Sequence, residues 1–194
     1  MVDEAALLAS FTARFDREAE DAAAQTGGTA HGEAQDDAPT FDTDRFLQGL
    51  DAIFARHTAA SEAAPYLEQA MIDAENAGDE AGLLTVLNET MGFYRSQGWH
   101  EKNQWIVQRA IELALRMGLE GTETWATTLI NCATAMRAAQ QYDQAEDLYT
   151  QALQCAENVY PPKDRRIAAL HNNLSMLYQE TGRPESSERE LRAA

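Results

Sequence analysis

Apolar residues recur every third or fourth position along most of this 194-residue chain, the period of helices that bury one face. Leu8, Phe11, Phe15, Ala19 and Ala22 form the first such stripe and predict an amphipathic helix over residues 1–24. Thr26 to Thr40 holds glycines, acids and Pro39 but no periodic apolar residue, which predicts a flexible linker over residues 25–41. From there to residue 194 the pattern is helix, short turn, helix, in units of about 43–77, 79–118, 122–159 and 163–194. The punctuation agrees with these bounds. Gly78 suits a left-handed helix end, Asp79 and Thr122 can cap helix starts, Pro161-Pro162 closes a helix, and Pro184 fits a first turn, where a missing N–H costs little.

The last seventy residues nearly repeat themselves at a spacing of 42. Asn131 falls on Asn173, Cys132 on Leu174, Ala133 on Ser175, Met136 on Tyr178, Tyr142 on Pro184, Ala145 on Ser187, Tyr149 on Leu191 and Ala152 on Ala194. Carried backwards, the register places Leu87, Tyr94, Gly98 and Ala110 in a third copy. A step of about 40 then gives a first copy with Leu47, Leu50, Phe54, Ala63, Leu67 and Ala70. A fixed period of this size marks a solenoid, in which each unit buries its apolar face only by stacking on its neighbours. The expected fold is all-α, a right-handed α-solenoid of antiparallel helix pairs with an extra N-terminal helix.

The pattern resembles the tetratricopeptide repeat, with Leu129, Cys132, Ala133, Met136, Gln140, Tyr142, Ala145, Tyr149 and Ala152 at that family's signature positions in the third unit. His171, Leu174, Ser175, Tyr178, Gly182, Pro184, Ser187, Leu191 and Ala194 hold them in the fourth. The long spacing is similar to the variant found in kinesin light chains, and Leu170 to Tyr178 is close to that variant's core. Tyr66 to Ala70, Thr85 to Tyr94 and Ala126 to Asn131 also resemble an uncharacterised bacterial family of such proteins.

The resemblance implies a noncatalytic protein-interaction scaffold whose first helices line a concave groove. It directs Asn88, Glu89, Arg95, Asn131, Arg137, Asn172, Asn173 and Gln179 into that groove, with Arg45, Gln48 and Arg56 added by the first unit. Asparagine amides can donate to and accept from an extended peptide backbone, and arginine offers a rigid fork to a carboxylate. The implied partner is an extended, acid-bearing segment of another protein. The same asparagines can instead bond between neighbouring first helices, and the arginines can pair with acids such as Glu89. The family's carboxylate clamp is not reproduced: Asn88 or Ile130 stands where it has Lys, and Gly92 or Thr134 where it has Asn.

Charge narrows the partner class. The net charge is −17, with 3 basic and 11 acidic side chains in residues 1–50 against 6 of each in residues 151–194. Such a surface repels phosphate backbones and argues against nucleic acid. No apolar run approaches membrane-spanning length and Asp3 and Glu4 replace a basic leader, so a soluble cytoplasmic protein is expected. Cys132 and Cys155 read as reduced core thiols, and Trp99, Trp105 and Trp125 as packing residues. His31, His57, His100 and His171 are scattered, and no metal, phosphate-loop or nucleophile motif is present, so no cofactor and no enzyme activity are expected. A homo-oligomer, or a module of a larger assembly, is the alternative, because the last unit stops at Ala194 before its second helix is complete and leaves a solenoid end uncovered.

Overall fold

The structure, a computed structural model, describes residues 40–194. The expected helix over 1–24 and nearly all of the 25–41 linker lie outside the described residues. Phe41, at the linker's far end, packs its ring 5.9 Å from that of Phe46.

Eight helices and no strand occur among the described residues. They are α1 (Thr43–Ala55), α2 (Ala59–Ala77), α3 (Glu80–Ser96), α4 (His100–Arg116), α5 (Glu123–Ala138), α6 (Tyr142–Val159), α7 (Arg165–Glu180) and α8 (Pro184–Ala193). Their starts follow local chemistry. Asp42 accepts from the Arg45 amide, Asp79 from that of Gly82, Thr122 from that of Trp125 and Asp164 from that of Arg166, so each fills an orphan donor of a first turn. Each helix packs on the next, and first helix α3 also touches first helix α5. That adjacency defines the all-α solenoid.

Small residues make the close approaches possible. Ala63, Ala74, Ala110, Ala114, Ala145, Ala152 and Ala156, all on second helices, have no exposed surface. Asn103 stands in α4 where the third unit has Ala145, and its buried Nδ2 donates to the Met91 carbonyl of α3 at 3.0 Å. In the fourth unit the Ser175 and Ser187 hydroxyls bond at 2.8 Å, so a polar pair replaces an apolar contact between α7 and α8.

The turns correct the register of the first unit. Gly98, Gln140 and Gly182 hold left-handed backbone at φ of 69°, 59° and 71°, and in the first unit this residue is His57 at 58° rather than Thr58, which the expected step of 40 from Gly98 would give. The step from α1 to α3 is therefore 41, and the buried residues of α1 are Phe46, Leu50 and Ile53, while Leu47 is partly buried and Phe54 is 44% exposed. The second helix keeps the step of 40, since Ala63, Leu67 and Ala70 are buried opposite Asn103, Val107 and Ala110. The change of phase falls between His57 and Ala63, at the start of a helix that carries Pro65.

Candidate interaction face

The residues directed into the groove lie on α3, α5 and α7, the first helices of the second, third and fourth pairs. Asn88 and Asn131 bond to each other: the Asn131 Nδ2 donates to the Asn88 Oδ1 at 2.9 Å. The Asn88 Nδ2 in turn donates to the Leu84 carbonyl at 3.1 Å and reaches the Thr128 Oγ1 at 3.4 Å. Asn88 is thus occupied in joining α3 to α5, whereas no donor among the described residues reaches the Asn131 Oδ1. The side chains of Asn172, exposed, and Asn173, half-buried, make no hydrogen bond with any described residue. Glu89 and Arg95 are half-buried and each engages a neighbour. Gln179 is exposed.

Arg137 is a nearly enclosed cation of this face, with its side chain 14% exposed. Its Nη1 is buried without a hydrogen-bond partner and lies 3.9 Å from the Glu180 Oε1. Beneath it the phenol of Tyr149, wholly buried, meets the Thr134 hydroxyl at 2.9 Å. Burial pushes the Tyr149 phenol above its ordinary range, against the Thr134 hydrogen bond and the charges of Arg137 and Arg95, with Glu180 adding to the rise. Three first helices therefore direct charge toward one second-helix hydroxyl. The sequence placed Arg95 and Arg137 on this face and Tyr149 at a repeat signature position, but it did not bring Tyr149 or Glu180 together with Arg137. The alternation of Arg with a carboxylate one unit on was available at positions 137 and 180, but only the backbone phase shows that they meet.

With the corrected register, Phe54 occupies the repeat position of Arg95, Arg137 and Gln179. Its exposed ring lies 6.4 Å from that of Phe93. Arg56, expected on this face, instead pairs with Glu62 of α2 at 2.8 Å.

Elsewhere several charged groups pair with one another. A half-open cleft of about 480 Å³ between the end of α2, the start of α3 and α4 is lined by Glu75, Asp79, Glu80, Arg109, Glu112 and Arg116 among others. Arg109 pairs with Glu75 and Arg116 with Glu80. His171 bonds Glu190 at 2.9 Å. No group of three His, Cys, Asp or Glu side chains able to hold a metal occurs among the described residues, and none of their helices is long and apolar enough to cross a membrane. Cys132 and Cys155 are free and buried, and burial pushes the Cys132 thiol up to about 12. Trp99 and Trp125 pack as expected, but Trp105 is 57% exposed on α4 with the Arg109 guanidinium 5.0 Å from its ring.

Among solved structures, BtubC (BKLC) from P. vanneervenii superposes with a TM-score of 0.69 at 19% identity, over 77% of this chain and 59% of BtubC. The match thus spans less than two thirds of BtubC's own length, and at that identity it speaks to the fold. No match was found among curated proteins. A family model for the tetratricopeptide repeat matches residues 125–194. The last two helix pairs are thus tetratricopeptide repeats. The matched residues are α5 to α8, where the 42-residue self-similarity is also clearest. Tetratricopeptide repeats generally serve as protein-interaction scaffolds, and the match over residues 125–194 supports that broad role.

Proposed function

We propose that this repeat protein is a noncatalytic cytoplasmic scaffold whose first-helix face binds an extended, acid-bearing segment of a partner protein. The observation that carries this reading is the placement of Arg137, a nearly enclosed guanidinium on the first-helix face of a chain with a net charge of −17. A desolvated arginine fork favours a carboxylate far more than a solvated one does. Around it, the Asn131 Oδ1 and the amides of Asn172 and Asn173 are available to a peptide backbone, and exposed Phe54 at the other end of the same stripe offers an apolar contact. The mutual pairing of the cleft's charges supports a noncatalytic role. Two buried free thiols support a reducing compartment.

The test avoids Asn131, which also holds α5 to α3. Arg137→Gln with Asn173→Ala should abolish cross-linking of partner proteins in extracts while the helical circular-dichroism signal stays at the wild-type level. Undiminished cross-linking would remove the first-helix face from consideration.

One observation favours a second reading, docking within a larger assembly or self-association through the fourth pair. Tyr149 and Leu191 are repeat equivalents, yet Tyr149 is 0% exposed and Leu191 50%, and Met176 on the neighbouring helix is 39% exposed. Light scattering over a tenfold concentration range separates the two readings: a monomer throughout supports the scaffold alone.

A further inference from the structure

The face described above carries its own carboxylate beside the arginine proposed to receive one. Glu180 is the last residue of α7, where the unpaired carbonyls of the helix end make a negative charge unfavourable. It is 41% exposed, and its Oε1 lies 3.9 Å from the Arg137 Nη1, within ion-pair range but beyond a hydrogen bond. Glu180 is thus repelled by its own helix and held by Arg137 without the directional bonds that make an arginine–carboxylate pair strong. Arg137, for its part, keeps a buried N–H with no acceptor. Both partners are incompletely satisfied by each other, and a carboxylate from outside that reached hydrogen-bonding distance would satisfy the arginine better.

We propose that Glu180 is an internal stand-in for the ligand's carboxylate, guarding the Arg137 guanidinium until an acidic peptide segment displaces it. The proposal rests on the first-helix face being a peptide site. It adds a selection rule to that site: a neutral segment cannot displace Glu180, because it brings no charge to replace the one removed from Arg137. An acidic segment exchanges one carboxylate for another and releases Glu180 to solvent, away from the carbonyl end of α7. The position of Arg137 on α5 and Glu180 on α7 also makes the contact a link between the third and fourth pairs, so displacement frees the end of α7 at the same step.

The experiment is fluorescence anisotropy on the full chain with three labelled hexapeptides at low salt. These are hexaglutamate blocked at both ends, hexaserine with a free carboxyl terminus, and blocked hexaserine, which separate side-chain from terminal carboxylates. Glu180→Gln is expected to tighten binding of a carboxylate-bearing probe by about 2- to 5-fold, the scale of one partly exposed ion pair, and to leave blocked hexaserine unchanged. Glu112→Gln, an exposed acid on α4, controls for the change in net charge and should give no such gain. In an Arg137→Gln background the gain should vanish, and Arg137→Lys, with melting curves recorded for each variant, guards against a folding defect. Equal or weaker binding by Glu180→Gln, or a gain that survives Arg137→Gln, overturns the guarding role while leaving the peptide site standing. Failure of every form to bind any carboxylate probe overturns both.

Discussion

Arg183, in the turn between α7 and α8, donates from Nη1 and Nη2 to the two carboxylate oxygens of Glu146 on α6, at 3.1 and 2.7 Å. The Tyr178 hydroxyl donates to the same carboxylate at 3.1 Å, and the Arg183 guanidinium lies over the Tyr178 ring at 4.6 Å. One acid of the third pair thus gathers two residues of the fourth.

The Arg183 hydrogen bonds hold the Glu146 carboxyl below its ordinary value of 4.5, against the opposing effect of burial and with help from Tyr178. Since the folded state binds this proton less readily than the unfolded state, the pair's contribution is complete above pH 4.5 and is lost as pH falls through the lowered folded value. Asp164, lowered by its hydrogen bonds from Arg166, acts in the same direction at lower pH. Urea titrations from pH 7 down to about pH 3 should show Glu146→Gln less stable than wild type by about 1 kcal/mol at pH 7. The two proteins should converge at the acidic end, and a constant gap across the range would mean that the charge of Glu146 is not what matters.

Leu174 is 3% exposed in the interior of α7, whereas Gln179 on the first-helix face is exposed. Leu174→Ala should cost about 2–5 kcal/mol through lost burial and a residual cavity, and Gln179→Ala no more than about 0.5 kcal/mol. Chemical denaturation of the two variants gives the comparison, and a reversed order would mean a wrong helical phase.

The Asn88–Asn131 bond crosses between α3 and α5 with both side chains half-buried. A double-mutant cycle with Asn88→Ala and Asn131→Ala should return a coupling of about 0.5–1.5 kcal/mol. Strictly additive losses would mean that the amides serve α3 and α5 separately.

Gln140 adopts φ of 59° where Gly98 and Gly182 adopt 69° and 71° in their own units. A side chain in left-handed backbone costs about 1–2 kcal/mol, partly offset in the comparison by the greater freedom of glycine when unfolded. Gln140→Gly should therefore stabilise the protein by about 0.5–1 kcal/mol in urea, with an unchanged denaturant slope. Destabilisation would show that the Gln140 side chain makes a contact worth more than the backbone strain.

The helix pairs were legible in the sequence because their signals are local and repeated. Asp79 and Thr122 cap where expected, Gly78 ends α2 in left-handed backbone, and the register of 42 brings Cys132, Ala133, Met136, Leu174 and Tyr178 into the core. The first unit was less legible because α1 and α2 follow different steps, so one alignment could not serve both; Phe54 was assigned to the core and Phe46 missed as a result. On the first-helix face, residue type and position were readable but hydrogen-bond partners were not. Asn131 turned back to Asn88, a residue at a neighbouring repeat position, and Arg137 met Glu180. Such pairings depend on the rotation and separation of adjacent first helices, which periodicity leaves open. Trp105 shows a further limit: an aromatic at helical spacing indicates burial only if another helix covers that face, and here the residue is 57% exposed with the Arg109 guanidinium beside its ring.

The contrast between Tyr149, wholly enclosed, and Leu191, half in solvent, has a dynamic counterpart. Where each pair is held by its neighbours, local opening grows easier toward the less covered element. Amides of α8 are expected to exchange with solvent through small, frequent openings, and those of α5 and α6 only when the body as a whole unfolds. Any molecule that settles on α8 would slow those openings first, so the flexibility of this helix is itself a readout of contact.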